Sequence, residues 1–284
     1  METGETSFKP IADFDNRRPE YKADQKKVID SIKVKSVDEI DNILFKKVLE
    51  ENKNFYGLKI FTPDEKNPEN KLYFRQNRNN IAVVQDMITL NDGGLLVLDS
   101  RIVDMDSKKV FNVFDLVTIE EKSLEYGRTG ILYSTDSSKI STFKNGEKGG
   151  FVNWNENELQ IKAIDLLFGK GIGGLGNILL LFHEFGHRFQ FKNLEESQKI
   201  PPSFKEIFKN NHFKKKDSEY LTKGKQLIEE KEINAWDFSL SIMDKLKSLG
   251  LDLSRGLDKK QIDKGVRMCL STYKIKNYVY KTAE

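Results

Sequence analysis

Disulfide chemistry is all but closed to this chain. Cys269 is its single cysteine in 284 residues, which excludes an internal disulfide framework and fits a reducing compartment. Long apolar runs are missing too. The longest strongly apolar run, Ile178 to Phe182, is far too short to span a bilayer. Met1 to Pro10 is polar and has no apolar signal-peptide centre. A cytoplasmic protein is the expectation, though export without a cleaved signal would leave the same sequence. Neither sign of charge dominates. The 47 basic and 44 acidic residues leave a net charge of +3, which demands no nucleic-acid or membrane partner. There is no G-x-x-x-x-G-K-[ST] phosphate loop and no D-x-D-x-D-G calcium loop.

Histidine is as scarce, with three in the chain, yet two of them stand four residues apart. His183-Glu184-Phe185-Gly186-His187 is an H-E-x-x-H pattern within Ile178 to Phe191. On a helix, positions i and i+4 share a face, so both imidazoles can reach one ion, and imidazole suits zinc. Glu184 is placed to act as general base on a zinc-activated water. A buried core helix with hydrogen-bonded histidines would show the same letters. The flanks speak against that. Ile178, Phe182, Phe185 and Phe189 form one apolar ridge, and Leu179 to Leu181 make the upstream half apolar all round. Two histidines and a glutamate in a buried helix are costly unless paired or metal-bound.

The remaining chain reads as α+β. Residues 1–25 are polar with Pro10 and Pro19, and are expected to form a flexible arm. Residues 26–55 carry apolar residues at helical spacing, with an N-cap at Ser36. A single domain is expected over 56–284, strand-rich to 154 and helical from 155. Leu58 to Phe61, Leu72 to Phe74, Ile81 to Leu90, Leu95 to Met105, Val110 to Ile119, Gly130 to Thr135 and Lys139 to Phe143 read as strands of a mostly antiparallel sheet. Asp64 to Asn70 reads as a turn, and Asn91-Asp92-Gly93-Gly94 as a hairpin. Asp99, Asp104, Asp106 and Asp115 are assigned turn and surface roles. Helices are predicted over Asn157 to Phe168, Ser218 to Leu249 and Asp258 to Leu270, with Ser271 to Tyr280 a helix tail or last strand. Gly169 to Gly176 contains G-x-G-x-x-G twice, but no strand precedes it and no βαβ unit surrounds it, so it reads as an approach loop. Lys205, Lys209 and Lys214 to Lys216 interleave with Phe204, Phe208 and Phe213, which reads as a solvated face rather than a nucleic-acid surface.

A catalytic zinc needs a third protein ligand. Gln190 and Asn193 stand where a metzincin would have glycine and histidine, which excludes that class. His212 and a downstream glutamate remain. Glu232, Ala235, Ser239 and Met243 fall on one helix face, and small Ala235 and Ser239 would let that helix approach Gly186. Glu232 is favoured on those grounds, with Glu229 and His212 as alternatives.

H-E-F-G-H followed by E-x-x-A-W-x-F resembles the gluzincin branch of the zincin metallopeptidases, in particular the small ImmA/IrrE-type members. The resemblance maps His183, Glu184 and His187 onto the first motif and Glu232, Ala235 and Phe238 onto the second. Trp236 stands in place of an asparagine, Ser239 in place of an alanine, and 44 residues separate the motifs. It implies a zincin-like fold: a sheet, an active-site helix and a glutamate-bearing helix below it. It implies one zinc held by His183, His187 and Glu232, with Glu184 as the catalytic base of peptide hydrolysis.

The expected partner is therefore a protein or peptide substrate, bound along a sheet edge, with no membrane and no nucleic acid. His212, Tyr220, Tyr273 and Arg267 are candidates to stabilise the oxyanion. The rival expectations are a zinc-stabilised regulatory or binding protein without hydrolysis, a peptidase toxin with one target, and a nucleic-acid binder using 203–216.

Overall fold

A computed structural model describes residues 10–89, 95–113, 115–116, 150–153, 158–161, 175–191, 218–271, 273, 275 and 278. Its described elements are five helices and two antiparallel sheets. The helices are α1 (Pro10–Ser31), α2 (Ile43–Asn52), α3 (Gly176–Phe191), α4 (Ser218–Ser248) and α5 (Lys259–Ser271). The strands are β1 (Lys35–Ser36), β2 (Gly57–Phe61), β3 (Asn70–Gln76), β4 (Ile81–Thr89), β5 (Leu95–Asp104), β6 (Lys109–Asn112), β7 (Gly150–Asn153) and β8 (Glu158–Ile161).

Six strands pair in the order β1-β6-β5-β4-β3-β2, every pair antiparallel. Strands β2 to β6 lie beside their chain neighbours because each joins the next by a short reversal. Asn67 N–H donates to Asp64 C=O in the β2–β3 turn, and Thr89 pairs with Leu95 across the predicted hairpin. Side chains alternate between two apolar layers. Tyr73, Ile81, Val83, Met87, Ile102 and Phe111 face one core, shared with α1, α3, α4 and α5. Leu72, Phe74, Ala82, Val84, Val103 and Val110 face the other, under Phe45, Val48 and Leu49 of α2. Both faces are covered, so Ile81 to Val84 is buried at every position and reads as an unbroken apolar run.

Helix α3 packs on the first face, where the Phe182 and Phe111 rings meet edge to face, 6.3 Å between centroids. Helix α4 lies against α3, and α1 contacts both. Helix α4 ends at Gly250, whose φ of 90° suits glycine. Among the described residues, no helix is long and apolar enough to cross a membrane.

Four expectations are corrected. The polar arm gives way to a helix from Pro10 onward, because Tyr21, Gln25, Val28 and Ile32 fall on one face and are buried. The helical segment over 26–55 is interrupted. Ser36 does cap with Glu39 in a reciprocal box, but it starts only the 3-10 turn Val37–Glu39, after β1 pairs with β6. Glu158–Ile161, predicted as helix, is strand β8, where antiparallel pairing with β7 overrides helical spacing. Strand β6 stops at Asn112, short of the predicted Ile119. The predicted strands Gly130 to Thr135 and Lys139 to Phe143 lie outside the described residues, as do the 203–216 basic stretch and most of the glycine run.

Candidate metal centre

The apolar ridge of α3 is buried as its spacing predicts. Ile178, Phe182, Phe185 and Phe189 all lie in the core, and this forces His183, Glu184 and His187 inward as well. Helix α4 presents the predicted face to α3. Glu232, Ala235, Ser239 and Met243 are all buried. The helices approach closely at Gly186, where a Cβ would lie 2.8 Å from the Ala235 Cα. Ser239 Oγ donates to the Leu179 carbonyl at 2.7 Å, two turns back along α3.

This close crossing gathers three donor atoms. His183 Nε2 and His187 Nε2 are 3.0 Å apart, and Glu232 Oε2 lies 3.3 Å from the first and 3.5 Å from the second. Donors at zinc bond lengths in a tetrahedral site stand about 3.3 Å from one another. Glu232 Oε2 and His183 Nδ1 are buried without a hydrogen-bond partner. Such atoms need an explanation, and an ion explains the oxygen. The His2Glu donor set therefore could hold a metal ion.

Electrostatics within the cluster are opposed and unequal. Burial, then the neighbouring His187, hold the His183 imidazole below its usual pKa. Burial also disfavours charge on His187, but the Glu232 and Glu184 carboxylates outweigh it and raise that imidazole. Burial would raise the Glu232 carboxyl, yet the two imidazoles hold it well below its usual range. The carboxylate stays ionised, as a metal ligand must be.

Glu229, the alternative ligand on α4, is half-buried and stands outside the three-residue cluster. His212 lies outside the described residues. Of the candidate oxyanion donors, Tyr273 comes to the centre. Burial first, then the charges of Glu232 and Glu184, push its phenol upward, which places its hydroxyl beside those carboxylates. Arg267 is exposed on α5, where its Nε donates to the Asp263 carbonyl. Tyr220 belongs to α4, in the turn where the helix begins.

Sequence reasoning passed over the residues around the donors. Gln190 Oε1 lies 2.9 Å from His187 Nδ1, a contact that suits a ring protonated at Nδ1 with Nε2 turned to the donor cluster. Its signal was present, since Gln190 stands three residues after His187 on the same helix face. The Trp236 ring lies against the His183 ring, with centroids 4.4 Å apart and planes tilted by 36°. The stacked indole steadies an imidazole whose Nδ1 has no hydrogen bond. Asn234 and Gln25 complete the surroundings from α4 and α1, and nothing local in the sequence pairs them with His187. No protein-family model, curated protein or solved structure matches this chain, so the centre rests on its own geometry.

Proposed function

We propose that the chain is a zinc-dependent peptidase of the gluzincin kind, with a zincin-like fold, acting on a protein or peptide substrate. One observation carries the reading: two imidazole nitrogens and a carboxylate oxygen converge at co-ligand distances, beside a second buried carboxylate, Glu184. His183, His187 and Glu232 would hold the ion. Zinc, when bound, supplies Lewis acidity, which makes water nucleophilic near neutral pH and polarises a carbonyl. Glu184 follows His183 in the helix and does not join the donor triangle, which frees its carboxylate for proton transfer. It accepts the attacking water's proton and returns it to the leaving amine. The Tyr273 hydroxyl is the donor best suited to the oxyanion. An outer strand of the six-stranded sheet would take the substrate in extended form. Strand β2 is one such edge, and its Leu58 and Ile60 are exposed.

A second reading has one observation in its favour. His183, Glu184, His187 and Glu232 are all buried, as in a structural zinc site that does no hydrolysis. The two readings separate on one pair of measurements. Elemental analysis after exhaustive dialysis is expected to find about one zinc per chain. Glu184→Gln is then expected to keep that zinc and abolish cleavage of a peptide substrate. A wild type that binds zinc and cleaves nothing supports the structural site. A wild type that takes up no zinc on titration ends both.

A further inference from the structure

The donor nitrogen of His187 is selected by side chains that lie on three different helices. Gln190 of α3 accepts from His187 Nδ1 through Oε1. It can present that oxygen because its amide nitrogen is spent elsewhere. Nε2 donates to the Lys231 carbonyl at 3.0 Å and to Asn234 Oδ1 at 2.7 Å, both on α4. Asn234 in turn presents its oxygen because its own amide nitrogen donates to Gln25 Oε1 at 3.2 Å, across to α1. Gln25 closes the chain. Its Nε2 donates to Asn234 Oδ1 at 3.0 Å and to the Gly186 carbonyl at 3.4 Å, between the two histidines. Two backbone carbonyls, which can only accept, set the directions: Lys231 C=O fixes the Gln190 nitrogen, Gly186 C=O fixes the Gln25 nitrogen, and the direction of Asn234 follows from both.

We infer that Gln25, Asn234 and Gln190 are positioning residues for the metal centre, and that α1 is part of the site rather than an appendage to it. Their polarity holds His187 as the Nδ1–H tautomer with Nε2 unprotonated toward His183 and Glu232. An amide chain running the other way would turn the Gln190 NH2 toward His187, put the ring proton on Nε2 and block the donor atom. The Lys231 carbonyl prevents this directly, and Gln25, 209 residues from Asn234, supports it through the Asn234 amide. The inference rests on the metal reading for its purpose, but its central statement concerns a tautomer in the metal-free protein.

The test exploits the three histidines of the chain. In protein labelled with 15N at histidine and freed of metal, long-range 1H–15N correlation at alkaline pH reads the tautomer of each neutral ring. Wild type is expected to show His187 as Nδ1–H. Gln190→Leu is expected to move it toward Nε2–H and to weaken zinc binding, measured by chelator competition, by about tenfold or more, and Gln25→Met, which leaves the Lys231 contact in place, is expected to shift both in the same direction by less. Gln190→Glu still offers an accepting oxygen and is expected to keep the tautomer. If Gln25→Met does not fold by circular dichroism, Gln25→Glu decides, because a carboxylate cannot donate to Asn234 Oδ1 or Gly186 C=O. A wild-type His187 carrying Nε2–H overturns the inference. So does a folded Gln25 variant with wild-type tautomer and wild-type zinc affinity. Failure of wild type to bind zinc would sink the peptidase reading while the tautomer result still stood for or against this one.

Discussion

At Glu232, burial and charge pull in opposite directions, and charge wins. The carboxylate is 3% exposed, yet two imidazoles hold it ionised. Its place on α4 decides which glutamate serves. Glu232→Ala is expected to lower zinc affinity by more than the roughly 100-fold upper range of outer partners. Glu229→Ala, one helical turn earlier, is expected to leave it unchanged; chelator competition on both variants checks the assignment. Tyr273 tests the next layer. Its hydroxyl lies beside the carboxylates without being a ligand, so Tyr273→Phe is expected to keep zinc and lower kcat by about 100-fold. Zinc analysis alongside peptide-cleavage rates separates those two effects. Glu232 was legible in the sequence because a glutamate, an alanine and a serine shared one helix face. Tyr273 stood there as one of four candidates, since a side chain placed by a chain reversal leaves no periodic trace.

Between elements, the approach of α3 to α4 decides whether the donors meet. Gly186 is packed against the Ala235 backbone, which cannot move aside as a flexible side chain would. Gly186→Ala is expected to destabilise the protein by about 2 kcal/mol, even though alanine is better than glycine in a helix by about 1 kcal/mol. Thermal melts and zinc affinity should fall together, because the same displacement separates Glu232 from the histidines. In the sheet, Asp86 and Asp99 are paired across β4 and β5, where the register shifts. Burial, then the charge of Asp99, push the Asp86 carboxyl upward, against the pull of Arg101. A folded-state pKa above the unfolded one favours the neutral acid. Its stabilising contribution is therefore present below the unfolded value, about 3.9, and is lost as pH rises through the folded value. Asp86→Asn is expected to raise the melting temperature at pH 7, and the difference should shrink below about pH 4. A difference that grew on acidification would contradict the sign. These strands were legible from turn residues and apolar runs. Asp99 was read only as a turn or surface acid and Asp86 was not singled out, because cross-strand neighbours depend on register.

Across the whole molecule, the segment after α4 straps the helical layer to the sheet. Arg255 bonds Asp104 and Asp106, Asn79 Nδ2 donates to the Arg255 carbonyl at 2.9 Å, and Ser107 Oγ donates to the Gly250 carbonyl. The Asp104 side chain is 1% exposed and Arg255 33%. Arg255→Met is expected to cost about 2 kcal/mol, below a fully buried pair because the guanidinium remains partly hydrated. A melting curve and faster limited proteolysis near residues 249–258 would register it. A variant as stable as wild type would show the strap to be ornamental.

Sequence by itself determined the features that are local and periodic. The α3 ridge, the inward face of α4, the β2–β5 hairpins, the Gly250 stop and the two histidines one turn apart all follow from spacing along a single element. Tertiary structure decided what depends on a partner far away in the chain. It turned a polar arm into α1, because Tyr21, Val28 and Ile32 had a core to enter. It turned helical letters into β8, because a strand stood beside them. It also chose the His187 nitrogen that bears the proton, because that choice belongs to a chain of amides contributed by three helices. A hydrogen bond is directional and needs its partner present; apolar periodicity needs only the element that bears it.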